Sequence, residues 1–591
     1  MVTARIEPSL PGPEEFAVDA PPLLIQRSDA STETGQSRDL TTADSPWIWT
    51  PMWHQPCRFG PGEFDAVMQN LVRNPNVLSS WLFRADIVAE GTQAVEAVED
   101  GPTLPFFETL ERVEEWTLVR RLIPRNTLRD KPMLQTCVFY ESASRREEHG
   151  HPEADYTAMD ADGDCSVERS LVVYLPHAVS PAEIPFYHPK VQGVAFLHEW
   201  WPMADRGTVS LHFSFFPDDL VAMAPKDLAS KLSRPILARV ALSLINTVCK
   251  HGKGKRAGYV KRVHHDQLVP QASVQDGYTR LKEKHARRLV QTWQETTDPA
   301  KHVFEDLSIA AFLMELWMDM YGSKDEKERR RKGALDLVPD AFPGFIDVGC
   351  GNGLLVHILN EEGYSGWGFD ARKRKSWQQY ATEIHGEPQS NNSSLRESLL
   401  LPFVLTQDKS QQQSSEEDEA GDDDRRATKR HKGPAIHDGT FPPGTFLIAN
   451  HADELTVWTP LLAALADCTF LAIPCCSHNF TGARFRAPPP SAAAKEATAS
   501  VSVTLASSST YASFVEWVAS VAEDCGWQVE FEMLRIPSTR NVGLVGRKRP
   551  SLNTFTSEKA LQVITKYGGA HGFAANVASL AAEGKKNKSS H

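Results

Sequence analysis

The residues with the clearest chemical content are Asp347-Val-Gly349-Cys-Gly351-Asn352-Gly353. They follow the apolar run Phe345-Ile346 and open a helical pattern, Leu354, Leu355, Ile358 and Leu359, which stops at Gly363 as a C-cap should. A glycine loop between strand and helix permits unusual backbone angles and lets a ligand lie against main chain that carries no Cβ. A dinucleotide fingerprint would put its third glycine at position 354, which is Leu354, so the spacing disfavours NAD and FAD. Other reactive groups fall at the carboxyl ends of expected strands, where open α/β sheets place ligands: Asp370, then Asn450, His451, Asp453 and Glu454, then Cys475, Cys476, His478, Asn479 and Arg484. Asp453 also reads as the N-cap of the helix carrying Leu455, Trp458 and Leu461. The two thiols and the imidazole invite a zinc reading. Adjacent cysteines rarely turn both sulfurs to one ion and there is no fourth ligand, so no metal is expected.

Those groups need a scaffold. Beyond about residue 330 short apolar runs alternate with helical patterns: Gly344 to Val348, Gly353 to Glu362, Gly366 to Asp370, Arg372 to Ile384, Gly444 to Asn450 and Thr469 to Ile473. This is the rhythm of a parallel sheet with covering helices, closed by an antiparallel pair, Trp527 to Leu534 and Asn541 to Val545. Ahead of it, residues 46–330 read as a mixed α/β domain. Its aromatics begin at Trp47, strands are expected at Thr136 to Tyr140 and Ser170 to Tyr174, and helical apolar stripes follow between Leu228 and Gly322. The charged run Ser323 to Lys332 reads as a solvated hinge, which puts a boundary near 330. Residues 1–45 are expected to be a disordered tail. The second domain, 331–550, carries two low-complexity insertions, 408–439 and 488–509, and 551–591 form a C-terminal helix and flexible tail.

Charge bounds the partners. The 591 residues hold 63 Lys+Arg against 76 Asp+Glu, a net −13, so any polyanion must be met by one face. Six Lys/Arg between Lys250 and Arg262, interleaved with Gly252, Gly254, Gly258 and Tyr259, read as a flexible strip suited to RNA phosphates. There is no apolar stretch of membrane-spanning length and no apolar leader at the N-terminus. Nine cysteines show no CxxC spacing, so reduced thiols and a cytoplasmic protein are expected; the basic run 425–432 offers a nuclear signal as the alternative.

The phrases FIDVGCGNGLLVHIL, GFDARKRKSW, IANHADELTVWTPLLA and IPCCSHNFTGARF, with LIPRNTLRDKPMLQTC, KHGKGKRAGYVKRVHHD and DPAKHVFEDLSIAAFL before them, resemble the eukaryotic tRNA(Ser) (uridine-2′-O-)-methyltransferase family from about residue 47 to 550. The resemblance implies a Rossmann-like methyltransferase domain with a seven-stranded, mostly parallel sheet whose last strand is antiparallel. It implies S-adenosyl-L-methionine held by Asp347, Gly349, Gly351, Asn352, Gly353, Asn450 and Asp370, the last taking both ribose hydroxyls. The acceptor would be a uridine ribose beside the variable arm of serine tRNA, with RNA contacts at Lys253, Lys255, Arg256, Lys261, Arg262 and Arg484. Methyl transfer to a hydroxyl needs a proton acceptor, for which Asp453 ranks first and His451 second, with Glu454, His478, Lys373 and Lys375 as the other candidates. The rival readings are a methyltransferase acting on another RNA, a protein or a small molecule, and a non-catalytic tRNA-binding protein.

Overall fold

A computed structural model of the chain describes residues 10–16, 23–24, 47–91, 101–142 (except 106, 108–109, 113–115 and 128), 167–216, 235–259, 265–384, 392–406, 435–488, 509–549 and 555–579 (except 578). The chain divides into two units, Met1–Val260 and Lys261–His591. No described helix is long and apolar enough to cross a membrane.

In the first unit nine strands form an antiparallel sheet: β1 (Glu14–Glu15), β2 (Trp49–Cys57), β3 (Leu82–Glu90), β4 (Glu111–Arg112), β5 (Leu118–Pro124), β6 (Met133–Glu141), β7 (Glu168–Pro176), β8 (Gly193–Trp201) and β9 (Arg206–Ser214). Their order is β1-β2-β9-β8-β7-β6-β5-β3, with β4 on β6. Both faces are buried, as the side-chain alternation along β7 shows. Val172 and Tyr174 join a core with residues of helices α1 (Pro61–Arg73) and α2 (Pro235–Arg256), while Leu171, Val173 and Leu175 pack with Trp49 and Tyr140. The expected tail is partly ordered: Glu14–Glu15 pair with β2, the Phe16 ring lies 4.6 Å from that of His54, and Leu24 is buried. The other residues of that tail lie outside the described ones.

The basic strip is also not a flexible loop through Arg256, because it forms the last turns of α2. Gly252 is there for close packing, since a Cβ would sit 2.5 Å from the Phe59 ring. α2 and strands β5 to β8 wall a cavity of about 890 Å³ lined by side chains such as Leu122, Val194, Phe196, Leu237 and Leu244. Arg120 stands in that wall, buried. It donates to Gln135 Oε1 at 3.0 and 2.6 Å and to the carbonyls of Leu71 and Val72 in the last turn of α1, the negative end of a helix dipole.

The second unit begins earlier than the sequence suggested. Helices α3 (Gln271–Leu281), α4 (Arg287–Gln291), α5 (Pro299–Tyr321) and α6 (Lys324–Arg331) belong to it, and the apolar faces of the first three bury against its sheet: Leu281, Leu289, Leu307, Phe312 and Trp317 share a core with Phe345, Leu354 and Ile358. The charged run read as a hinge is pinned. Ser323 caps α6, a capping box with Glu326 completes the turn, and buried Arg330 lies 2.6 Å from Glu315 of α5.

The sheet comprises β10 (Phe345–Val348), β11 (Gly366–Asp370), β12 (Leu395–Leu400), β13 (Ala435–His437), β14 (Phe446–Asn450), β15 (Thr469–Ile473), β16 (Gln528–Met533) and β17 (Val542–Lys548), in the order β13-β12-β11-β10-β14-β15-β17-β16. Pairing is parallel from β13 to β15, and β17 runs antiparallel to both neighbours. Among the described residues the sheet has eight strands where seven were expected; the additional one, β13, lies at the end of the expected insertion 408–439, of which 408–434 fall outside the described residues, as do 489–508 of the other insertion. The helix expected over Arg372 to Ile384 shrinks to Trp377–Tyr380. On the other face, α9 (Trp458–Leu465), α10 (Thr510–Asp524) and α11 (Ser557–Lys566) cover Ile346, Val348, Leu447 and Ala449. Residues Ala560, Val563, Ile564 and Phe573 of the C-terminal segment are buried in this core, so the segment is part of the unit.

Candidate active site

The glycine loop joins β10 to α7 (Leu354–Glu361) with Gly349, Gly351 and Gly353 all at positive φ (79°, 55° and 77°). At Gly353 a Cβ would lie 2.4 Å from the Leu395 side chain, so packing adds to φ in favouring glycine there, whereas a Cβ on Gly351 would meet nothing within 4 Å. Gly351 thus faces open space, with φ as the local constraint. The loop is held from several sides. Trp377 Nε1 donates to Gly351 O at 2.9 Å, Ser376 Oγ to Asn352 O at 2.8 Å, and Asn352 Oδ1 accepts from Leu354 N at 2.9 Å at the start of α7. Asp370, at the end of β11, accepts from Gly351 N (3.1 Å) and Arg372 N (3.0 Å), which fixes its carboxylate beside the loop.

Gly349, Gly351, Asn352, Asp370 and Arg372 line one cavity of about 620 Å³, together with Asp347, Asn450, His451, Asp453 and Glu454. The structure therefore brings together every cofactor-side and catalytic candidate except Gly353, which packs behind the loop. It adds two acids that sequence reasoning missed, Glu305 and Asp306 of α5. They sit at buried positions of a helix that is apolar on nearly every side, and charged residues inside such a helix are the signal that could have exposed them.

Alternation explains how these groups meet. Phe345 of β10 and Phe446 and Ile448 of β14 point into the core that α5 helps build, so Asp347 and Asn450, two residues further along each strand, share that face. Asn450 Nδ2 reaches Asp306 Oδ1 at 3.3 Å. Burial first, then neighbouring Glu305, pushes the Asp306 carboxyl up to about 8. Burial, with Asp306 and Asp370 adding repulsion, holds Asp347 well above the usual carboxylate range. Four buried polar atoms of the cavity lining have no hydrogen-bond partner: Asp347 Oδ1, Asn450 Oδ1, His451 Nδ1 and Arg374 Nε.

His451 and Asp453 both take positive φ (52° and 44°), which is uncommon outside glycine and marks a backbone held by its surroundings. Asp453 is not the N-cap of α9: it begins a short 3-10 turn, Asp453–Leu455, and its Oδ1 accepts the Cys475 thiol at 3.1 Å. His451 Nε2 lies 3.1 Å from Glu305 Oε1, and that carboxylate is buried. Burial, then Asp453 and Asp370, raises the half-buried Glu454 carboxyl. Donor atoms of Asp453, Cys475 and Cys476 lie within 4.8 Å of one another, but burial and the Asp453 charge push both thiols up and so keep them protonated, which is not the ligand form.

Of the RNA candidates, Lys253 and Lys255 are exposed at the end of α2, while Arg256 donates to Asp205 (2.8 and 3.1 Å) and to the Arg58 carbonyl. Lys261 and Arg262 lie outside the described residues, and exposed Arg484 sits in the loop after β15, away from the cavity lining. Lys301, Arg372 and Arg540 line the cavity and were not singled out from the sequence.

Two family models match the chain. One, described as the TRM44-like N-terminal bet v1-like domain, covers residues 26–262; the other, described as a predicted AdoMet-dependent methyltransferase, covers 268–387. Their junction falls at the division between the two units. The chain is 44% identical to a tRNA (uracil-O(2)-)-methyltransferase of Neurospora crassa, over 96% of this chain and 97% of that protein. Proteins of the same name from Schizosaccharomyces pombe (35% identical, 92% and 94% covered) and Saccharomyces cerevisiae (34%, 90% and 92%) are similar along their length. No solved structure matches.

Proposed function

The chain belongs to the tRNA (uracil-O(2)-)-methyltransferase family, and we propose that it moves a methyl group from S-adenosyl-L-methionine to the ribose 2′-oxygen of a uridine beside the variable arm of serine tRNA. What carries the reading is the cavity itself: an intact glycine loop, a fixed strand-end carboxylate and unpartnered buried acceptors. The residues fit the cofactor. Gly351 leaves its backbone bare toward the open space, Asp370 presents a carboxylate to paired hydroxyls, and the acid-rich floor suits a ligand that carries two positive charges. When bound, the cofactor supplies the electrophilic methyl.

The chain's own work is to hold the acceptor ribose in line and to take its proton. We assign the proton to the His451–Glu305 pair rather than to Asp453, because Glu305 fixes the imidazole and disperses the charge it would gain, whereas Asp453 already accepts a thiol. Lys301, Arg372 and Arg540 line the cavity and would supply countercharge to phosphates flanking the target nucleotide. Lys253 and Lys255, exposed at the end of α2, offer the first unit's contact for the tRNA backbone.

The test is transfer of labelled methyl to serine tRNA, other tRNAs and bulk protein. Label confined to serine tRNA, at one uridine whose 3′ bond resists alkali, is expected. Label on protein or on no macromolecule would overturn the tRNA reading. Within the active preparation, His451→Ala should lower kcat by about 100-fold or more with cofactor affinity kept, and Asp453→Ala by much less; the reverse order would return the role to Asp453.

A further inference from the structure

We propose that Asp306, together with Asp347 and Asn450, is the receptor for the ammonium group at the cofactor's amino-acid end, and that cofactor entry expels a proton from this cluster. The inference rests on the S-adenosyl-L-methionine reading of the cavity and concerns residues of α5 and the strand ends rather than the glycine loop.

The geometry comes first. α5 lays Asp306 over the face to which β10 and β14 turn Asp347 and Asn450, and the one N–H donor group among the three side chains, Asn450 Nδ2, reaches Asp306 Oδ1 at 3.3 Å. That leaves Asp347 Oδ1 and Asn450 Oδ1 buried without partners, in a residue pair that lines the cavity, with Asp347 98% buried by its 2% exposure. Buried acceptors facing a cavity without a donor are costly unless a ligand supplies one. An ammonium brings three N–H donors and a compact positive charge, matching acceptors on three different residues.

Lys301, Arg372, Arg374 and Arg540 also line the cavity, but no cation is among the described groups that bear directly on Asp306 and Asp347. The charged groups that bear on Asp306 and Asp347 are Glu305 on α5, Asp370 on β11 and each other, all acids. The remaining titratable neighbours are the Cys350 thiol in the loop, pushed well up by burial and by Asp347, the Tyr380 phenol on α8 (Trp377–Tyr380), and His451, whose imidazole is turned to Glu305. At neutral pH the cluster therefore holds protons, Asp306 among them with its carboxyl near 8. A bound cation favours the carboxylate form, so binding lowers this value and a proton leaves. The sign follows: between the ordinary carboxylate range and about 8, affinity for the cationic ligand rises with pH, by up to about tenfold per unit for each proton displaced. The window closes at higher pH, where the ligand's own α-ammonium loses its proton.

The experiment is calorimetric titration of the full chain with S-adenosylhomocysteine, which keeps the ammonium and lacks the sulfonium, in buffers of different ionisation enthalpy. Release of about one proton near pH 7 is expected, with affinity rising steeply from about pH 6 to about pH 7.5. 5′-Methylthioadenosine, which lacks the amino-acid end, should bind with no release and a flat pH profile. In Asp306→Asn the release should vanish and S-adenosylhomocysteine should bind at least about tenfold more weakly, with methylthioadenosine unchanged. The same variant should melt higher than the native protein at about pH 8 without ligand, because a carboxyl whose folded pKa is raised loses stability as pH climbs toward that value; a merely structural Asp306 would melt lower. Binding of S-adenosylhomocysteine without proton release, or equal release in Asp306→Asn, overturns this inference alone. No binding of either nucleoside overturns the cofactor reading and this inference with it.

Discussion

The cavity of about 890 Å³ in the first unit and that of about 620 Å³ in the second are similar in scale and opposite in chemistry. In the first, a buried cation is answered from within. Four N–H groups of Arg120 reach Gln135 Oε1 and two carbonyls at a helix C-terminus, and Tyr174 Oη is the one buried polar atom of the described lining without a partner. In the second, carboxyls are crowded together and four polar atoms are left open. Folding alone does not favour the second arrangement, since each unpaired buried group costs about 1–3 kcal/mol. The difference teaches where to look for function: satisfied polarity marks a part built for stability, and polarity that only a ligand could satisfy marks a part built for binding.

The largest break in that comparison should come from Asp370→Ala. The carboxylate anchors Gly351 and Arg372 by two backbone hydrogen bonds and is half-exposed at a strand end, so its removal loosens the ligand-facing loop without opening the core. We expect S-adenosyl-L-methionine to bind about 100-fold more weakly, the scale of losing hydrogen bonds to a charged group, with an unchanged thermal transition. Calorimetry and a melting curve on one preparation decide it, and native affinity would mean that the loop is not the cofactor's seat.

The part of this site that local rules govern was legible in the sequence. The strand Phe345–Val348, its glycines, the helix that follows and Asp370 at the end of the next strand are each specified by neighbours in the chain. What long-range packing decides was not. Glu305 and Asp306 precede an apolar stripe and acquire meaning only when α5 lies on the sheet beside Asn450 and His451. Asp453 has the residue type of an N-cap, yet a positive φ and the Cys475 thiol claim it instead. The charged run at Lys324–Arg331 looks solvated by composition, but one residue in it, Arg330, is buried on Glu315 and ties the helix down, which is why the unit begins near 261 and not near 330. Gly252 reads as flexibility in a basic strip and is in fact the contact point of a helix with Phe59.

A smaller effect, and one confined to the other unit, is expected from Arg120→Met. The substitution keeps length and apolar contact while stripping donors from Gln135 Oε1 and from the carbonyls of Leu71 and Val72. A loss of about 2 kcal/mol should follow, seen as an earlier thermal or denaturant transition, with cofactor affinity unaltered. Buried ionic groups can also be replaced by apolar ones at no cost. An unmoved transition would therefore show that the carbonyls at the end of α1 (Pro61–Arg73) and the dipole behind them manage without the guanidinium, and the contrast between satisfied and open polarity would lose its strongest example.

Tyr174→Phe probes the same contrast at its smallest. The Tyr174 hydroxyl is buried with no partner, burial pushes its pKa up, and the Arg120 guanidinium lies over its ring at 4.8 Å. If that cavity is only structural, the hydroxyl is a desolvated group without reward, and deleting it should leave the protein as stable or more stable by up to about 1 kcal/mol, because the ring that packs and faces the cation is kept. The prediction is opposite in meaning to the orphaned acceptors of the second unit, where removal of the polar group should relieve the ligand-free fold yet weaken binding. Thermal melting of Tyr174→Phe beside the native protein tests it. A clear fall in melting temperature would show that the hydroxyl does have a partner, such as a buried water, and that the first cavity is wetter than its walls suggest.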